Sequence, residues 1–287
     1  MRSIFRPSGL LARNTTGGFT LLEIAVVLAI VTLLLGALLA PLATQHQLRK
    51  NKEAQQDLRE IKEALIGFAI TTGRLPWPDT DLILVDGIEN LPTNFPGVPT
   101  VPGDTAPPCT VCEGLLPWQS LGTGSTDPWG RIYRYRISPE FGYPVQTGQP
   151  AGTEQFDLFD AGTVRVHTRG DNPTAGGGGE NKEDIVLTID AAAAVISLGS
   201  NGSGGVWPDS NMIPQAPAGT DERVNSDGLN PAAPNIAHFY GRQITLSATT
   251  GCSDTLEATT FCEFDDLVVW IPRVVLINRM VEAGRLP

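Results

Sequence analysis

Uncharged positions run without a break from Ile24 to Ala43, a stretch of 20 residues. A helix over that stretch, at ~1.5 Å per residue, is ~30 Å long, the thickness of a bilayer's hydrocarbon core. Pro41 interrupts the run, which a membrane helix tolerates. The pattern then turns amphipathic. Ala54, Leu58, Ile61, Leu65, Phe68 and Thr72 recur at steps of three and four, with Arg49, Lys50, Lys52, Asp57, Arg59, Lys62 and Glu63 between them. This predicts one continuous helix from about Phe19 to Thr72, ~80 Å long, stopped by Gly73 and Pro76. Its first half suits a membrane and its second half should lay an apolar stripe on a sheet.

Beyond residue 73 the periodicity shortens. Residues 74–128 are punctuated by Pro76, Pro78, Pro92, Pro96, Pro102, Pro107, Pro108 and Pro117 and read as loop. Arg131–Ser138 alternates apolar and basic residues, and Thr163–Thr168 alternates likewise. Both predict half-buried strands. Ile185–Leu198 predicts one or two further strands, Leu267–Ile271 another, and Arg273–Glu282 a short closing helix. Residues 170–181 and 199–235 are Gly/Pro/Asn-rich insertions. The expected fold is α+β: a long N-terminal helix, membrane-embedded in one half and amphipathic in the other, packed on an antiparallel sheet with large loop insertions.

Charge divides the chain further. The first 18 residues hold Arg2, Arg6 and Arg13 and no acid, which predicts a cytoplasmic N-terminus and a translocated remainder. Residues 75–287 carry 11 basic and 26 acidic side chains, and so bulk acidity argues against wrapping nucleic acid. A secretory signal peptide has a shorter apolar core and a small-residue cleavage site; this run is too long, and Ala40-Pro41-Leu42-Ala43-Thr44 is a poor site.

At the start of the apolar run stands Gly17-Gly18-Phe19-Thr20-Leu21-Leu22-Glu23. A carboxylate there is costly to insert and has no use in an ordinary anchor. The motif resembles the prepilin peptidase site of type IV pilins and type II secretion pseudopilins. The resemblance implies cleavage between Gly18 and Phe19, methylation of the new Phe19 amine, and an assembly role for Glu23, which pairs with a neighbouring subunit's amine and sets the axial stagger. It implies four segments: a leader over 1–18, a membrane or fibre-core helix over 19–44, an amphipathic helix over 45–73, and a periplasmic head over 74–287. Gly73-Arg74-Leu75-Pro76, Asp127-Pro128-Trp129-Gly130, Ile196–Gly202 and Asp265–Trp270 are similar to segments of the major pseudopilin's head. The chain is about twice that protein's usual length.

Candidate chemistry is sparse. Cys109 and Cys112 are spaced for a redox motif, a zinc half-site or a disulfide. The flanking Pro107-Pro108 and Gly114 deny the strand-and-helix context of a thioredoxin-like site. Cys252 and Cys262 are ten apart, too far for the second pair of a zinc site. Structural disulfides, most simply Cys109–Cys112 and Cys252–Cys262, are the favoured reading, with connectivity left open. His46, His167 and His238 are isolated in sequence, and no phosphate loop or nucleophile elbow occurs. No enzymatic activity is expected. In the major pseudopilins a calcium ion pins the C-terminal loop through a Leu carbonyl and two Asp side chains. The resemblance places these at Leu198, Asn201 and Asp265, with Asn201 removing one charge and Asp266 near enough to compensate.

The function these readings imply is a structural subunit of a type IV pilin-like fibre, most like a type II secretion pseudopilin. The implied partners are prepilin peptidase, other pilins or pseudopilins, an inner-membrane assembly platform with its ATPase, and the lipid bilayer. The implied location is a single-pass inner-membrane protein with a periplasmic head, incorporated into a pilus or pseudopilus. A minor pilin of a type IV pilus and a membrane-anchored periplasmic enzyme or receptor are the alternatives.

Overall fold

The computed structural model describes residues 18, 20–81, 85–91, 112–142, 156, 158, 160–170, 183–218, 220–226, 236–245, 251–255 and 259–286, and of residues 35–44 the backbone alone. The chain forms two compact units, Met1–Arg49 and Lys50–Pro287.

The first unit holds the beginning of helix α1 (Leu21–Thr72). Thr20 caps it: the Glu23 amide donates to Thr20 Oγ1 at 3.2 Å, which satisfies one of the amides a helix start leaves unpaired. Its apolar side chains face outward all round, from Leu21 (89% exposed) to Leu34 (56%).

In the second unit the remainder of α1 is followed by β1 (Glu113–Leu115), α2 (Trp118–Leu121), β2 (Arg134–Ile137), a 3₁₀ turn (Pro139–Phe141), β3 (Val164–Arg169) and β4 (Asp184–Ser197). After these come α3 (Asp221–Ser226), β5 (Ala237–Tyr240), β6 (Leu267–Pro272) and α4 (Arg273–Glu282). Of the stripe read from the sequence, Ala54, Leu58, Ile61 and Leu65 are buried, Phe68 is half-buried and Thr72 is exposed. Leu58, Ile61 and Leu65, with the neighbouring Ile66 and Ala69, join Tyr133, Tyr135, Ile137, Ala193, Val195, Ile271, Leu276 and Met280 in one cluster. Each fully buried Leu or Ile contributes about 1.5–3 kcal/mol. Gly73, at φ +82°, ends α1 with its amide on Ala69 O at 2.7 Å. The last carbonyls are met from far along the chain, where Arg285 donates to Ile70 O and Thr71 O at 2.6 and 2.7 Å.

The sheet runs β1-β2-β4-β3-β5, with β6 also on β4. β4 is its hub. It pairs antiparallel with β3 through its first half, and with β2 and β6 through its second.

Three expectations are corrected. The sheet is mixed, because β5 lies parallel to β3, with Val164 opposite Ala237 and His167 opposite Tyr240. The long segment between β4 and β5, which contains α3, supplies the crossover that parallel pairing requires. Second, no helix among the described residues is long and apolar enough to cross a membrane. The membrane-embedded half-helix falls, and with it the single-pass inner-membrane placement. Third, the long helix and the sheet do not belong to one unit: the boundary falls within α1, and only the amphipathic half, Lys50–Thr72, which was expected to lie on the sheet, belongs to the head.

Strand β2 also differs from its half-buried reading: all four residues are buried. Arg134, 0% exposed, donates to Glu113 on β1 at 2.8 Å and to Ser226 O at the end of α3. The insertion covers the polar face that the alternation alone assigns to solvent.

Candidate functional site

Strand β4 ends at Ser197 and the chain turns sharply through Leu198–Gly202. Gly199 and Gly202 make the turn at φ +60° and +65°, a region costly for other residues. A Cβ on Gly199 would collide with Asp265. The turn wraps one carboxylate oxygen: Asp265 Oδ2 accepts from Ser200 N at 2.8 Å, Ser200 Oγ at 2.7 Å and Asn201 N at 2.9 Å.

Glu222, from α3, completes the site and was not foreseen. It accepts the Asp265 amide at 3.1 Å, and both its oxygens receive the Asn201 side-chain amide, at 2.9 and 3.1 Å. Asp266 Oδ2 accepts from Asn225 Nδ2 at 2.9 Å. Glu222, Asp265 and Asp266 each bring an oxygen within 4.8 Å of the others, and all three are buried. Asp265 Oδ1 and Asp266 Oδ1 have no hydrogen-bond donor among the described residues, an arrangement that normally costs stability unless something else occupies the space.

The electrostatics agree. Burial pushes the Glu222 carboxyl up from 4.5 to about 7, with the Asp265 charge adding to it and the Asn201 hydrogen bond opposing it. Burial holds Asp266 well above the ordinary carboxylate range, Glu222 reinforcing and Arg134 opposing. Three carboxylates packed this way hold protons or a cation. Buried oxygens with vacant lone pairs and no nitrogen or sulfur ligand fit a hard divalent cation such as calcium.

The residues expected to hold calcium, Leu198, Asn201 and Asp265, lie at this turn or against it. Asp265 is in the cluster. Asn201 turns its oxygen to Ser203 N at 3.0 Å and its nitrogen toward Glu222. The Leu198 carbonyl accepts Gly202 N at 2.9 Å. Glu222 lies inside the Gly/Pro-rich insertion, and no spacing in the sequence ties it to Asp265.

Cys252 and Cys262 form a disulfide. Cys112 is disulfide-bonded as well, and Cys109 lies outside the described residues. Gly18 is exposed with open space where a Cβ would stand, Phe19 lies outside the described residues, and no described residue pairs with the exposed Glu23 carboxylate.

His167 and His238, isolated in sequence, meet through the β3–β5 pairing. His238 Nδ1 is 3.0 Å from His167 Nε2, and His167 Nδ1 is 2.9 Å from Asp184 Oδ1. Burial, with His167 and Arg165 adding to it, lowers the His238 pKa.

No family model matches the chain, and neither a curated protein nor a solved structure matches it.

Proposed function

We propose that the chain is a structural subunit of a type IV pilin-like fibre, most like a type II secretion pseudopilin. The leader is removed by a prepilin peptidase, and the C-terminal loop of the head is pinned by calcium. The observation that carries this reading is the start of α1. Leu21, Leu22, Ile24, Val26, Val27, Leu28, Ile30, Val31, Leu33 and Leu34 are all exposed, on every side of the helix. A helix apolar all round is stable only when it is surrounded. Neighbouring copies of the same helix would surround it in a fibre, and Glu23, whose carboxylate has no partner among the described residues, would then meet the Phe19 amine of the next copy. The prepilin-like residues Gly17–Glu23 supply that amine at the right place.

Calcium would be held by Glu222, Asp265 and Asp266. Its charge would neutralise carboxylates that otherwise repel one another, and so tie the β4–α3 insertion to the start of β6.

Processing tests the reading. Mass spectrometry of protein from cells with an active prepilin peptidase should show a chain starting at methylated Phe19. Gly18→Ala should still be cut and Gly18→Leu should not. A chain that keeps Met1 in such cells refutes the assignment.

A further inference from the structure

The disulfide loop and the acidic cluster share a set of hydrogen bonds. Asp254, inside the loop and 0% exposed, accepts the Cys262 amide at 3.0 Å through Oδ1. Its Oδ2 accepts the Asp221 amide at 2.8 Å, at the first residue of α3. Asp221 directly precedes Glu222. The Cys262 carbonyl accepts from Thr245 Oγ1 at 2.7 Å and from Arg242 at 3.1 Å. Arg242 also binds Asp221 at 2.9 Å and Asp254 at 3.0 Å, and lies 4.7 Å from the Phe261 ring centroid and 4.4 Å from that of Phe264. Phe264 exchanges two 2.9 Å backbone hydrogen bonds with Thr245 and directly precedes Asp265. The closed loop is therefore one hydrogen bond from the residue before Glu222 and three residues from Asp265.

We propose that the Cys252–Cys262 disulfide sets the affinity of the Glu222–Asp265–Asp266 cluster for calcium, with Asp254, Asp221 and Arg242 as positioning residues that hold two of the three ligands in place. This rests on the calcium reading above. Closing the bond removes two protons and two electrons from the two thiols. The electrons pass to a disulfide-bearing oxidant, which leaves as a dithiol. A chain that has not been oxidised then leaves the loop open, α3 unanchored and the cluster unable to close on the ion. Oxidation comes first and cation binding second.

The test compares the full oxidised chain with Cys252→Ser/Cys262→Ser and with Asp254→Asn, which keeps the disulfide. Calcium alone is titrated by calorimetry, and amide hydrogen exchange is followed without calcium. The oxidised chain should bind calcium at least tenfold more tightly than either variant. Without calcium both variants should exchange faster at Asp221–Ser226, while amides of β2 and β4 stay protected. Uniformly faster exchange across the head would mean that the bond only stabilises the fold, and would overturn the coupling. So would wild-type calcium affinity in Asp254→Asn. If the oxidised chain binds no calcium, the calcium reading falls, and the exchange pattern still decides whether disulfide and cluster are linked.

Discussion

The side-chain amide of Asn201 donates to both oxygens of Glu222, at 2.9 and 3.1 Å. An acidic residue in its place would face a buried carboxylate with nothing to donate. Asn201→Asp should therefore lower the stability of the metal-free protein by about 1.5–3 kcal/mol, the scale of hydrogen bonds to charged groups. It should also raise calcium affinity, because it adds a fourth negative charge. Thermal melts with and without calcium read both effects. A variant that melts like wild type in both conditions would remove Asn201 from the site.

The Glu222 carboxyl, raised from 4.5 to about 7 by burial, gives the metal-free protein a pH signature. Between those values the folded state binds more protons than the unfolded state, and stability must fall as pH rises. The loss should begin near pH 4.5 and be complete above about pH 7. Saturating calcium should remove it at the upper end. Denaturant melts at pH 5, 6, 7 and 8 measure the slope; Glu222→Gln should flatten it.

Gly199 should tolerate no side chain. At φ +60° an alanine costs about 1–2 kcal/mol in backbone strain, and its Cβ would collide with Asp265. Gly199→Ala should destabilise the head and weaken calcium binding together, a pairing that urea melts and calorimetry can check.

Removing Arg134 from its buried pair with Glu113, whose side chains are 0% and 3% exposed, leaves Glu113 with only the longer 3.6 Å contact to Arg136. Arg134→Met should cost about 3–5 kcal/mol. Arg134→Met with Glu113→Gln should recover part of that. A double variant worse than the sum of the singles would contradict the pairing.

Glu23→Val should leave the folding of the head unchanged, because the cap at the start of α1 uses the Glu23 backbone amide and not its side chain. In the fibre reading it should sharply reduce incorporation into sheared fibres on co-expression with an assembly apparatus. Glu23→Asp should be intermediate. Wild-type assembly by Glu23→Val would sink the inter-subunit pairing.

The sequence shows local features well and long-range ones poorly. The stripe Leu58–Leu65 and the helix Arg273–Glu282 were legible because a 3.6-residue period is written in neighbouring positions. Asp265 was legible through its surrounding motif. Glu222 was not, since it is 43 residues from Asp265 and they meet only through a fold. The parallel β3–β5 pairing, and with it the His167–His238 contact, was hidden for the same reason: alternation marks a strand but not its neighbour's direction. The burial of Arg134 and Arg136 was hidden because alternation with basic residues ordinarily marks a solvated face, and here an insertion covers it.

The central position of β4 has a consequence for synthesis. It is 14 residues long, ends at Ser197, and pairs with β2, β3 and β6. A chain made from its N-terminus holds β2 and β3 for many residues before the strand that joins them exists. Two segments therefore wait with unpaired edges, the state in which nascent chains are most prone to aggregate. The third partner, β6, begins only at Leu267, long after β4 ends at Ser197. The head can close only once β6 has been made, and truncation anywhere before Leu267 should yield an insoluble product and not a smaller folded one.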